Sequence, residues 1–126
     1  MRYLFLLPLT LFLSCKSKDT TLMIDFQNQA LHDIEVDSIK HFTYGLPFIS
    51  PVQSERNKQE IQKNKIDSIY KDYGLYLQNL GCVIGDKKMD KSTKEYYKIT
   101  DPFLDKRNGK GWEEKMKKEI ENINKN

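Results

Sequence analysis

The stretch Ile66-Asp67-Ser68-Ile69-Tyr70-Lys71-Asp72-Tyr73-Gly74-Leu75-Tyr76-Leu77-Gln78-Asn79-Leu80-Gly81-Cys82-Val83-Ile84 reads as a helix that stops at a glycine and turns into a strand. Ile66, Ile69, Tyr70 and Tyr73 fall on one helical face. Gly74 offers the left-handed conformation that commonly ends a helix, since it has no Cβ to clash there. Leu75, Leu77, Leu80, Val83 and Ile84 then make a short apolar run around Gly81-Cys82. The rest of the chain reads as cover for this unit.

Working outward towards the N-terminus, Ile39 to Tyr44 is rich in β-branched and aromatic residues and reads as a strand. Gly45-Leu46-Pro47 breaks it, and Pro51 extends the loop. From about Glu55 the chain turns polar and helical, with Ile61 leading into the Ile66–Tyr73 face. Strand, helix, strand in that order permits a right-handed parallel crossover, and an antiparallel pairing is the alternative. Earlier still, Leu22, Phe26, Ala30 and Ile34 recur every four residues behind an N-cap at Thr20 or Thr21. A helix is the favoured reading there, against a strand in which Leu22, Ile24 and Phe26 alternate.

Towards the C-terminus, Gly85-Asp86 opens a lysine-rich loop, and Ser92 with Glu95 has the spacing of a capping box. Tyr96, Ile99 and Phe103 follow as an apolar stripe flanked by Tyr97 and Leu104; Pro102 lies within it and is expected to kink the helix. Asn108-Gly109 is a turn. A last helix from about Gly111 to Asn124 carries Trp112, Met116, Ile120 and Ile123 on one side, and Glu113–Lys117 and Glu114–Lys118 pairs on the other. Trp112, at the head of that stripe, is expected to anchor the helix on the Ile66–Ile84 unit as a packing residue, not to stack on a ligand. The pattern predicts an α+β domain: a small sheet of two or three short strands covered by about four helices.

The 126 residues suffice for one modest core. Charged residues make up 31% of the chain, yet the 7 Tyr and 6 Phe argue against disorder. The 21 basic and 18 acidic residues are interspersed, so the net charge of +3 marks a solvated surface and no nucleic-acid face.

The first residues stand apart. Arg2 and the amino terminus precede an apolar run from Tyr3 to Leu13, the length of a signal-peptide core and too short to span a bilayer permanently. The run ends in Phe12-Leu13-Ser14-Cys15, which resembles the lipobox of bacterial lipoproteins, with Phe12 where that family usually has Leu. The resemblance implies cleavage before Cys15 and diacylation of that residue; ordinary cleavage with an unmodified cysteine is the alternative. Lys16, in place of the Asp that resembles an inner-membrane retention signal, favours the outer membrane. Lys16-Ser17-Lys18-Asp19 also looks like the Lys-then-acid export signal of Bacteroidota surface lipoproteins, although a single acid follows. The expected organisation is a signal peptide over 1–14, a lipidated tether over 15–20 and one domain over 21–126, facing the periplasm or the cell surface.

A second resemblance covers roughly Ile39 to Ile123. Ile69-Tyr70-Lys71-Asp72-Tyr73-Gly74, Gly81-Cys82-Val83 and Leu104-Asp105-Lys106-Arg107-Asn108-Gly109-Lys110-Gly111-Trp112 look like the small FEKKY-type domain of Bacteroidota lipoproteins. The namesake motif is degenerate here, with Ile69, Tyr70 and Asp72 at its Phe, Glu and second Lys positions. The resemblance implies a fold and an address but no reaction.

Candidate chemistry is sparse. Cys82 is the thiol left once Cys15 is lipidated, and a nucleophilic role would need His41 beside it; the bland reading is a small buried residue packed next to Gly81. His32 and His41 have no companion ligands at zinc spacing and read as surface residues. Asp33, Glu35 and Asp37 lack the spacing and glycine of a calcium loop. Asn108-Gly109-Lys110-Gly111 could hold an anion on free amides but lacks the pattern of a P-loop, so a helix-to-helix turn is preferred. No catalytic residue, metal or cofactor is expected. Two function classes remain: a binding module of unknown partner, which is preferred, and a small thiol enzyme using Cys82 with His41. Tyr44-Gly45-Leu46-Pro47-Phe48-Ile49 is unusually apolar for a loop. Phe48 and Ile49 are the candidate docking point for a protein partner; the competing expectation folds Leu46 and Phe48 under as a lid on the core.

Overall fold

The computed structural model describes residues 18–82 and 85–125, with side chains from Leu22 onward. The expected signal peptide, Cys15 and the Val83-Ile84 end of the apolar run lie outside the described residues. Among these residues the order is α1 (Lys18–Glu35), β1 (Ile39–Thr43), α2 (Gln53–Asp72), β2 (Leu75–Asn79), α3 (Lys87–Asn108) and α4 (Trp112–Asn124). The fold is α+β, with two strands. They pair in parallel with Ile39 opposite Leu75 and Thr43 opposite Asn79, which resolves the pairing left open by the sequence.

The helix-stop reading holds at Gly74. Its φ is +76°, and its carbonyl accepts the Ile39 N–H at 3.1 Å, so the residue that ends α2 also begins the ladder. A Cβ there would meet the Arg107 guanidinium at 2.8 Å. Arg107 fills that space to reach both carboxylate oxygens of Asp37 and the Asp72 carbonyl.

Side-chain contacts give the helix directions. Met23 lies by Lys87, Lys88 and Lys91, Gln27 reaches Glu95, Asp33 bonds Tyr96, and Asp37 bonds Arg107; α1 and α3 therefore run side by side in the same direction. Tyr97 bonds the strand at Phe42 and Tyr96 bonds it at Lys40, while Thr93 approaches Tyr44, so α3 runs against β1. Gln62 meets Asn124 and Tyr73 meets Glu119, which makes α4 antiparallel to α2. The N-termini of α1, α2 and α3 consequently share one end of the molecule with the segments that leave β1 and β2.

The core centres on α1, β1 and α3. Phe26, Ala30, Ile39, Phe42, Tyr96 and Leu104 are buried, and Phe42 meets Tyr96 edge-on at 4.9 Å between ring centres. Aromatic pairs in this geometry add to plain area burial. Tyr73 and Trp112 complete the cluster with centroids 6.0 Å apart, so Trp112 packs as expected.

The start of α3 differs from the sequence reading. The helix starts at Lys87, capped by the Asp86 carboxylate accepting from the Lys88 and Met89 amides, and not at Ser92. Ser92 is buried inside the helix, where its hydroxyl donates to the Lys88 carbonyl at 2.9 Å. Pro102 lies inside this helix, as the sequence reading has it, and the helix runs on to Asn108.

Candidate functional site

Tyr96 and Tyr97 are neighbours in sequence with different surroundings, and together they close the outer edge of β1. The Lys40 N–H donates to the Tyr96 hydroxyl at 2.7 Å, and the Phe42 N–H donates to the Tyr97 hydroxyl at 3.0 Å. These are the amides that point away from β2, and an edge left bare would invite another strand. The Tyr96 hydroxyl in turn donates to the buried Asp33 carboxylate at 2.6 Å. Burial, and after it that carboxylate, pushes the Tyr96 phenol far above its ordinary pKa, so it stays a neutral donor. This network holds the strand in place.

Beyond the same strand lies an open cleft of about 570 Å³. His41 and Leu75 come from the sheet, Tyr70 from α2, Tyr97, Asp101 and Leu104 from α3, and Trp112, Glu113, Met116, Lys117, Ile120 and Glu121 from α4. The volume lies within the usual range of ligand pockets, and the mix of an apolar lining with a few polar groups is typical of them. α2, which contributes Tyr70 to the cleft, has no buried residue along its 20 positions.

The groups facing the cleft are perturbed mainly by loss of water. The His41 ring stacks on Tyr70 with centroids 5.3 Å apart, and burial lowers its pKa, favouring neutral imidazole. Burial raises the Tyr70 phenol, and it raises Tyr97 as well against the opposing Phe42 amide. The Asp101 carboxyl is raised by desolvation first and then by its neighbours Glu113 and Asp105. Asp101, Glu113 and Glu121 outnumber Lys117 at the mouth, so the site offers negative charge above an apolar floor.

The candidates read from sequence separate. His41 is half-buried against Tyr70, not on the surface as expected, whereas His32 is exposed. Cys82 is a free, exposed thiol, which overturns its expected burial. Nor does the fold bring it to His41, which opposes Leu77 while Cys82 lies beyond the end of β2. Asp33 and Asp37 bond Tyr96 and Arg107 respectively, and no group of three or more His, Cys, Asp or Glu among the described residues could hold a metal ion. Phe48 and Ile49 are exposed, and with Leu46 they overturn the expected lid.

Sequence reasoning missed the cleft. Trp112, Met116 and Ile120 share a stripe, but a stripe gives the direction a helix faces, not whether that direction is filled. A comparison of the chain with family models, with curated proteins and with solved structures finds no match.

Proposed function

We propose that this chain is a membrane-anchored envelope lipoprotein whose folded body is a binding module, and that its ligand site is the cleft between the sheet, α3 and α4. The lipobox-like Leu13-Ser14-Cys15 and the FEKKY-type resemblance support the address. The observation that carries the binding role is the cleft itself: Leu75, Leu104 and Trp112 are buried at its base, Met116 and Ile120 are half-buried, and Asp101, Glu113 and Glu121 are the exposed acids of its lining. That arrangement suits a small amphiphile with a cationic head and an apolar body. The thiol-enzyme alternative has no such support, because its two residues are apart.

Trp112 is the single tryptophan and lines the floor, so its emission reports on occupancy. Titration with octylammonium is expected to give a saturable change that octanoate does not, and Asp101→Asn should weaken it. An absent response, or octanoate binding as tightly, overturns the ligand class. Intact-mass analysis of membrane-extracted protein tests the anchor: Met1 to Ser14 should be missing and acyl mass present on Cys15. A soluble, unacylated product would refute that part.

A further inference from the structure

The loop between β1 and α2 carries side chains that belong in a core and are not in one. Leu46 and Phe48 are each 81% exposed and Ile49 is 66% exposed. Both ends of this segment are pinned. The Gly45 N–H donates to the Gly81 carbonyl at 2.9 Å, and the Asn79 side chain donates to the Gly45 carbonyl at 2.9 Å. On the far side Ser50 is buried, its hydroxyl bonded to Glu55 and accepting the Val52 N–H, and its own amide donating to Gln59. The tip is thus held out into solvent by polar clamps on both flanks.

What covers it is indicated by where the chain enters the fold. The loop leaves β1 at the end of the molecule where α1 begins. α1 starts at Lys18, so only Lys16 and Ser17 separate it from Cys15, a reach of about 10 Å at most. Around Met23, in the second turn of α1, lie Lys87, Lys88 and Lys91 of α3, positive charges suited to anionic lipid headgroups. Aromatic and aliphatic side chains at the same end of the molecule as lysines have the composition of an interfacial membrane contact.

We propose that the Leu46–Ile49 loop inserts into the surface of the bilayer that holds the acylated Cys15, setting the body upright with its cleft away from the lipid. The inference rests on the lipoprotein reading above. A single acyl-modified residue tethers a body without orienting it; a second apolar contact on the same end fixes its tilt.

The test uses full-length acylated protein carrying Phe48→Trp, reconstituted in phosphatidylcholine vesicles with a minority of phosphatidylglycerol. Lipids brominated along their acyl chains are expected to quench roughly half or more of the added emission, since insertion places the ring at the headgroup–acyl boundary. Wild-type protein, whose Trp112 lies at the other end, should be quenched little. Circular dichroism of the variant checks its fold, and Ile49→Trp repeats the reading at a second position. Acylated, folded protein whose new tryptophans escape quenching overturns the proposal alone, whether they face water or a protein partner. Absence of acyl mass on Cys15 overturns the lipoprotein reading and this proposal with it.

Discussion

On the α1–α3 side of the sheet, Phe26, Ala30, Phe42 and Tyr96 are buried, and the polar groups among them are bonded to one another. On the α2–α4 side, the long helix α2 buries none of its residues and the facing surface of α4 is left partly uncovered. α2 and α3 are similar in length, at 20 and 22 residues, so helix length alone does not distinguish the two sides. What differs is closure. The α3 tyrosines bond the strand edge and exclude water, whereas α2 and α4 hold each other through Tyr73, Trp112 and polar contacts at their ends. One half closes over the sheet, and the other leaves a cleft.

The sharpest way to break this division is Trp112→Ala, because Trp112 belongs to both halves. It lines the cleft, yet it is buried against Tyr73 and its indole N–H donates to Asp105 at 2.9 Å. Truncation is expected to cost about 3–5 kcal/mol. An unchanged melting temperature would mean that the cleft floor contributes nothing to the fold.

Tyr96→Phe probes the closed half alone. It leaves the buried Asp33 carboxylate and the Lys40 amide without their partner, and denaturant melts should show a loss of about 2–4 kcal/mol. Tyr97→Phe removes one amide acceptor at a half-buried position, so about 1 kcal/mol is expected. Equal costs for the two would contradict the distinct role given to the Asp33 network.

A pH effect comes from His41. Its folded pKa lies below the unfolded value near 6.5, so between the two the unfolded chain binds more protons. Stability is therefore full above about pH 6.5 and declines as pH falls through the folded value. His41→Gln should flatten that part of the stability–pH curve; an unaltered slope would show that His41 does not set it. Smallest of all, Phe48→Ser should leave stability within about 0.5 kcal/mol, as its exposure implies, and a large loss would return Phe48 to the core.

The architecture was largely legible where a residue has one steric solution. Gly74 could end a helix in few other ways, and Ile39–Thr43 and Leu75–Asn79 have the composition of strands. The start of α3 was not legible, because Asp86 and Ser92 are both competent caps and only packing decides between them. The Asp33–Tyr96 bond joins residues 63 positions apart, and no local pattern marks it. The cleft and the exposed loop were illegible for a related reason. Periodicity shows that Met116 and Ile120 face inward, and composition shows that Leu46 and Phe48 prefer to, but whether anything meets them depends on how the elements pack.

Amide hydrogen exchange tests the division into a closed and an open half most directly. The account predicts that the amides of Lys40 and Phe42 and those of α3 around Tyr96 exchange last, near the limit set by global unfolding, while the amides of α2 between Gln53 and Lys65 exchange much faster through local opening. Uniform protection across the helices, or an α2 that outlasts α3, would contradict it.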